Sequence, residues 1–178
     1  MRKLRKKYKP PRMAWDTVQI AEEKKILSEY GLRKKRELRR TMEVLRNFRR
    51  RARELEAKAN ELEKKRLLDR LVKFSLLETG RGLDDVLALT VRDLLERRLQ
   101  TIIFRKGRAP SIKQARQAIV HGKVAIDGRK VNIPSYLVTA AEEGKITVKG
   151  KTKKEKTVST EKPAEKKSAA DLGADAKQ

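Results

Sequence analysis

A run of lysines and arginines between residues 33 and 53 is the part of this sequence best suited to chemistry. Only Glu37 and Glu43 offset its positive charge. A solvated helix face usually mixes charges of both signs, so this imbalance favours a surface that meets phosphate groups. Besides Arg51, the run contains ten candidate phosphate ligands: Arg33, Lys34, Lys35, Arg36, Arg39, Arg40, Arg46, Arg49, Arg50 and Arg53.

A second polar cluster follows Pro110. The spacing of Ser111 and Gln114 matches a capping box and predicts a helix that runs to about Val120. A helix turns by about 100° per residue. One side of this helix then carries Ile112, Ala115 and Ile119, and the other carries Lys113, Arg116 and Gln117. A small apolar side opposite a cationic and amide side suits docking against a phosphate backbone.

The overall composition agrees with an anionic partner. Lys and Arg number 48 against 24 Asp and Glu, which gives a formal net charge of +24, and 40% of the residues are charged. Nucleic acid is the usual polyanion for such a chain, and an anionic membrane surface is the alternative. With no Cys and one His, the sequence excludes disulfides and Cys-ligated zinc, and we expect no metal, no cofactor and no paired nucleophile.

Four helices are expected in the first half of the chain. Asp16 is a plausible N-cap for a helix over 16–30, which Gly31 ends. A longer helix over 32–58 and a further one over 61–78 follow, and a short helix covers 83–89. The helix over 32–58 has an apolar stripe at helical spacing, which we expect to pack on a neighbouring helix. The stripe consists of Leu38, Met42, Leu45, Phe48, Ala52, Leu55, Ala59 and Leu62.

The second half mixes helix and strand. Thr90 and Asp93 form a further capping-box pattern that predicts one helix over 91–104, with Arg97 and Arg98 off its apolar side. The Asp127–Gly128 pair predicts a hairpin between strands 123–126 and 129–132, and two short strands are expected at 136–138 and 145–148.

The two ends of the chain are poor in bulky apolar residues. Residues 1–12 contain seven Lys or Arg and no acid, which favours a basic arm that orders on its partner over a merely disordered end. Residues 150–178 are expected to be a disordered tail. No apolar run approaches the roughly 20 residues of a membrane span, and no apolar stretch follows the basic start. We therefore expect an intracellular protein without a secretory signal.

Three stretches resemble the S-four family of small ribosomal subunit proteins. LERRLQT (95–101) and SIKQARQAIVHGKVAIDGRKVNIPSYLV (111–138) are similar to its RNA-binding module, which also occurs in some enzymes. WDTVQIAEEKKILSEYGLRKKRELRRTMEVLRNFRRRARE (15–54) resembles the N-terminal region of the archaeal and eukaryotic branch, and this likeness selects the ribosomal family. The chain lacks the cysteines of the zinc site found in some bacterial members.

The resemblance implies an α+β fold with four segments. These are a basic arm (1–14), a helical rRNA-binding domain (15–89), an RNA-binding module made of a helix pair on a small antiparallel sheet (90–149), and the tail (150–178). It also implies which residues of the module face RNA: Arg97, Arg98, Ser111, Lys113, Gln114, Arg116, Gln117 and His121. Ser111 is first an N-cap, and His121 is equally compatible with a helix C-cap. Trp15 and Tyr8 could stack on bases, but a tryptophan at such a position is more often a local core anchor.

The family further implies a structural role. We expect a non-enzymatic constituent of the cytoplasmic ribosome that binds the 5′ domain of small-subunit rRNA early in assembly, beside neighbouring ribosomal proteins and without a small-molecule substrate. Two alternatives stay open: an rRNA-processing paralogue of the same family, and an RNA-modifying or tRNA-charging enzyme that carries the module. An enzyme would need a catalytic domain, and residues 1–89 are short, strongly basic and free of the common nucleotide-binding loops.

Overall fold

The computed structural model describes residues 6–58 and 60–149, and these form an α+β fold. A helical N-terminal part precedes a helix pair packed on a small antiparallel sheet, as predicted. Residues 1–5 of the predicted arm, Ala59, and the predicted tail lie outside the described residues.

The first helix, α1, spans Thr17–Glu29 and begins as the sequence indicates. The Asp16 carboxylate accepts hydrogen bonds from the backbone N–H groups of Val18 and Gln19 at 3.0 and 3.3 Å. Gly31 adopts a φ of +57° just after the helix, a conformation that favours glycine. Tyr30 and Leu32 on either side of it are buried against the next helix.

The long helix α2 spans Lys35–Lys58 and starts three residues later than predicted. Its apolar stripe is confirmed by the burial of Leu38, Leu45, Ala52 and Leu55. The extension of the stripe to Leu62 is wrong, since that side chain is 73% exposed. The chain leaves the helix after Lys58, and Asn60 caps a new helix by accepting a bond from the Glu63 N–H.

The next helix, α3, spans Glu61–Lys73 and is shorter than predicted. Backbone bonds from Ser75 to Val72 and from Leu76 to Leu71 close a turn there, with Ser75 at a φ of +51°. The short helix α4 spans Leu83–Ala88, as expected. One core joins α2, α3 and α4 with the following helix: Leu45, Ala52, Leu55, Leu67, Leu71, Val86, Leu89 and Leu94.

The single helix predicted over 91–104 is wrong: it is two helices, α5 (Val91–Glu96) and α6 (Leu99–Arg105). The chain is extended at Arg98 between them. Segment 136–138 supplies the backbone partners that the break requires, because the Leu99 N–H donates to the Tyr136 carbonyl and the Val138 N–H donates to the Arg97 carbonyl. The predicted strand 136–138 is therefore a single bridge to this break and not a strand of the sheet.

The C-terminal module packs α6 and α7 (Ile112–Val120) against three strands. These are β1 (Val124–Ile126), β2 (Arg129–Lys130) and β3 (Ile146–Val148), in the order β2-β1-β3 with antiparallel pairing throughout. The predicted hairpin is confirmed, and Asp127 and Gly128 both have positive φ, as its tight turn requires. Strand β2 is shorter than the predicted 129–132.

One further helix, α8 (Ala140–Glu143), precedes β3 and was not predicted. Its capping box was readable in the sequence, since the Glu142 carboxylate accepts from the Thr139 N–H at 2.9 Å and the Thr139 hydroxyl accepts in return at 3.3 Å. The module core starts at Leu99, whereas Leu94 of α5 belongs to the core of the N-terminal helices. The predicted domain boundary between 89 and 90 stays a prediction.

Candidate nucleic-acid interface

A groove of about 390 Å³ lies between the start of α2 and the C-terminal module. It brings together candidates from both predicted sets, which are far apart in the sequence. Three apolar side chains, Val44, Leu94 and Leu137, contribute to its lining. Its cationic lining comes from both sides: Lys34, Arg36 and Arg40 from the helical part, and Arg98 and Arg116 from the module.

Glu37 fixes the two module arginines of this groove. The Arg116 guanidinium donates to both Glu37 carboxylate oxygens, at 3.0 and 2.8 Å, in a bidentate pair. Arg98 donates to the same carboxylate at 3.1 Å. A bidentate arginine–carboxylate pair defines both position and orientation. Glu37, which the sequence suggested only as a charge offset, thus connects α2 to the module.

The pKa values show why this cluster stays charged. Burial raises the pKa of Glu37, but the hydrogen bonds from Arg116 and Arg98 outweigh it and hold the pKa below its ordinary value. Burial lowers the pKa of Arg98, and the Glu37 carboxylate opposes that shift. Arginine remains protonated in proteins all the same. The lining of the groove therefore holds five cations against one carboxylate.

Arg98 and Arg97 occupy interior positions, unlike the surface positions that the sequence suggested. Arg98 is only 3% exposed, and its Nε and Nη1 atoms have no hydrogen-bond partner among the described residues. Arg97 is half-buried and donates to the Glu143 carboxylate at 2.9 Å and to the Val138 carbonyl at 3.2 Å. Both side chains hold the module in place, and Arg98 does so at the edge of the groove.

Helix α7 carries the remaining module candidates. Ala115 and Ile119 are fully buried, which confirms the predicted rotation of the helix. Ser111 is the N-cap and accepts from the Gln114 N–H at 3.2 Å. His121 is the C-cap residue. The outer face of α7, as we name it, consists of four exposed side chains that form no hydrogen bond or ion pair within residues 6–58 and 60–149: Lys113, Gln114, Gln117 and His121.

A second cationic depression lies on another side of α2. Arg46, Arg49, Arg50 and Arg53 line it, with Val91 of α5 at its edge. Arg40 and Arg46 are six positions apart in the sequence, which places them about 120° apart around the helix. Arg49 donates to the Leu89 carbonyl at 2.6 Å. Among the described residues, Arg46 and Arg50 pair with nearby glutamates of α2.

The other three candidates of the first set lie outside both depressions. Lys35 and Arg39 pair with Glu23 of α1 at 3.1 and 3.8 Å. Glu23 is only 4% exposed, so these two cations compensate a buried carboxylate. Arg33 is exposed just before α2. The ten candidates of the first set therefore fall into separate groups and do not form one continuous surface.

A buried glutamine was missed in the sequence, although its place in the apolar stretch LQTII was a signal. Gln100 donates from Nε2 to the carbonyls of Tyr30, Gly31 and Ile112 at 3.4, 3.2 and 3.2 Å. These hydrogen bonds join the α1–α2 connection to α6 and α7. Together with Glu37, it fixes the position of the groove's two sides relative to each other.

The expectation that Trp15 anchors a local core is wrong, because the side chain is 88% exposed. Within the part of the chain that the structure describes, no helix is long and apolar enough to cross a membrane. The same residues contain no cluster of three or more His, Cys, Asp or Glu side chains arranged to hold a metal ion.

The fold and a comparison with known domain families define the class of protein. The model of the S4 domain matches residues 97–143, a range that includes α6, α7, β1, β2 and α8. The chain is thus a protein with an S4 domain joined to a basic helical part.

Curated relatives then define the family. Small ribosomal subunit protein uS4 of Ignicoccus hospitalis is 51% identical over 145 residues, 80% of this chain and 87% of the relative. The proteins of the same name from Methanothermobacter thermautotrophicus and Thermoplasma acidophilum are each 44% identical, over 148 and 147 residues. They cover 82% and 79% of this chain, and 86% and 74% of their own lengths. The chain belongs to the family of small ribosomal subunit protein uS4, which confirms the resemblance.

Proposed function

We propose that this chain is a structural constituent of the small ribosomal subunit that binds the 5′ domain of small-subunit rRNA early in assembly. The observation that carries the proposal is the groove, because five cations from two parts of the chain line it together with apolar side chains. The relatives bear the name of a ribosomal protein, which supports a structural role over an enzymatic one. Cytoplasmic ribosomes and neighbouring small-subunit proteins complete the proposed setting.

The proposed contact surface has two parts. Lys34, Arg36 and Arg40 bind phosphates along the groove, and Glu37 holds Arg116 beside them. The outer face of α7 adds a cation, two amides and an imidazole, which can hydrogen-bond to phosphates, 2′-hydroxyls and base edges. Arg98 and Arg97 act mainly by positioning their neighbours. Segments 15–89 and 90–149 each contribute one side, as the proposed domain division requires.

The second depression is proposed as a further phosphate contact. Arg46, Arg50 and Arg53 are exposed there. Arg50 pairs with the exposed Glu54 of the same helix, and such surface pairs are weak in water. An RNA that reaches both depressions must bend around α2. Contacts on two sides of a helix suit a folded RNA junction better than one straight duplex.

Binding of a 5′-domain rRNA fragment at graded salt tests the proposal. If roughly 6–10 phosphates are contacted, affinity falls by about three to five orders of magnitude between ~50 and ~200 mM salt. The double variant Arg36→Glu/Arg40→Glu should weaken binding and reduce the salt slope by about two, one for each lost phosphate contact.

The matched control is Lys65→Glu/Arg66→Glu on the exposed surface of α3. It changes the net charge by the same amount away from the groove, so it measures the general effect of lost charge. Filter binding should show a much smaller loss for the control, with circular dichroism reporting that both variants are folded. Equal losses would show that the groove is not the RNA site. Co-sedimentation of the chain with small subunits separates the structural role from that of a processing paralogue.

A further inference from the structure

Trp15 is an exposed aromatic side chain that the fold leaves unused. It is the one tryptophan of the sequence, and its side chain is 88% exposed. By contrast, Tyr30 is 3% exposed and Phe104 is 40% exposed. Met13 and Val18 are also exposed within a few residues, so three large apolar side chains near the start of α1 face solvent.

Within the residues that the structure describes, the Trp15 side chain forms no hydrogen bond and packs very little. It precedes Asp16, the N-cap of α1. A hydrophobic residue in this position often packs against the fourth residue of the helix, here Ile20. The exposure of Trp15 shows that this contact is not made. The ring is therefore presented beside a helix start that the Asp16 carboxylate already stabilises without it.

The charge around Trp15 indicates what binds it. Residues 6–12 contain four cations, Lys6, Lys7, Lys9 and Arg12. Asp16 is the one acidic residue between 6 and 16, and its Oδ1 atom accepts two backbone hydrogen bonds. An aromatic ring next to a cationic segment is the combination that binds unpaired nucleic acid, since bases stack on the ring while cations contact the flanking phosphates.

We propose that Trp15 stacks on an unpaired base of the rRNA, with the cations of residues 6–12 on the adjoining phosphates. The inference rests on the proposed function and adds a contact outside the groove and the outer face of α7. Stacking of one base on an aromatic side chain corresponds to about a five- to 150-fold change in affinity. Base identity matters little, since every base has a π face.

The single tryptophan makes the contact directly measurable. Titration of the full chain with the 5′-domain fragment should quench Trp15 emission, and the quenching should saturate at the RNA concentration at which filter binding saturates. In filter binding, Trp15→Ala should lose about five- to 150-fold in affinity, while Trp15→Phe keeps most of it. Met13→Ala, which removes a similarly exposed but non-aromatic side chain, should change affinity by less than about twofold.

The failures of the two proposals are distinguishable. If the fragment binds with the expected salt dependence but leaves Trp15 emission and the Trp15→Ala affinity unchanged, the stacking proposal is overturned and the proposed function stands. If Trp15→Ala impairs only the capture of other small-subunit proteins, the ring is a protein contact and stacking is again overturned. If the unmodified chain binds no rRNA, both proposals fail.

Discussion

The inner side of the C-terminal module and the outer face of α7 use the same kinds of polar residue for different purposes. On the inner side, Arg98 and Arg116 bond to Glu37, and Gln100 bonds to the α1–α2 connection. On the outer face, Lys113 and Gln117 form no side-chain bond within the described ranges. Arg116 and Lys113 are three residues apart on one helix. Residue type alone therefore does not tell a fold-stabilising cation from a free one.

The inner contacts also determine what the groove can do. The groove needs cations from α2 and from the module at a fixed distance, and Glu37 and Gln100 provide that connection. Substitutions on the inner side should therefore reduce stability first and binding as a consequence. Substitutions on the outer face should change binding alone.

The largest effect is expected at Gly31. A Cβ at this position would lie 2.7 Å from Ile112 Cγ2 and 3.0 Å from Gln100 Nε2, and φ is +57°. Gly31→Ala should therefore destabilise the protein by roughly 2–5 kcal/mol, from about 1–2 for the left-handed backbone and about 1–3 for overpacking. Chemical denaturation measures the loss.

Gly107→Ala is the matched control for this prediction. Gly107 has a φ of +66° but no neighbouring atom within 4 Å of the added Cβ, so it isolates the backbone contribution of about 1–2 kcal/mol. Equal losses for the two variants would show that the α1–α2 connection does not pack closely on the module.

Arg98→Met should lower the free energy of unfolding by up to about 3 kcal/mol. This is near the lower end of the range for removing one member of a buried ion pair. Arg116 remains bonded to Glu37 in this variant, which limits the loss. Lys113→Met on the outer face should change stability by no more than about 0.5 kcal/mol and should weaken RNA binding. Thermal melts and filter binding on both variants give the comparison. A stable Arg98→Met protein would indicate that the buried guanidinium contributes nothing to the inner contacts.

A smaller, pH-dependent effect is expected at Glu37. Its pKa is lowered in the folded protein, so its contribution to stability is present above the unfolded pKa and is lost as pH falls through the folded pKa. Glu37→Gln should lower the free energy of unfolding by about 1–3 kcal/mol at neutral pH. The difference should be smaller in acid, where the Glu37 carboxyl of the unmodified chain is also neutral.

Glu54→Gln provides the control, since Glu54 pairs with Arg50 at the surface of α2 and such pairs contribute at most about 0.5 kcal/mol. The unfolding free energies of Glu37→Gln and the unmodified chain should converge as the pH falls. The unfolding free energy of Glu54→Gln should stay within about 0.5 kcal/mol of that of the unmodified chain throughout. A pH-independent difference between those two would mean that Glu37 acts through shape and not through its charge.

Local signals in the sequence were sufficient for part of this fold. The Asp16 cap, the Ser111 cap with the buried side of α7, and the Asp127–Gly128 turn each depend on a few adjacent residues, and the structure has all three. These features need no knowledge of distant segments. The family resemblance supplied the arrangement of helix pair and sheet.

The remaining features depend on contacts between distant residues. The break at Arg97–Arg98 is stabilised by backbone bonds to segment 136–138, so helical spacing in 91–104 could not show it. Glu37 lies 61 residues from Arg98 and 79 from Arg116 in the sequence. Such pairings show which cations stabilise the fold. The amino-acid composition shows only that the chain has many cations.

In-cell crosslinking, followed by sequencing of the attached RNA and identification of the crosslinked peptides, tests the central claim most directly. The claim is that the groove and the outer face of α7 hold small-subunit rRNA. We expect reads concentrated in the 5′ domain of that RNA and crosslinked peptides from residues 33–40 and 111–121. Reads spread over unrelated RNAs, or peptides confined to α3 and α4, would contradict it.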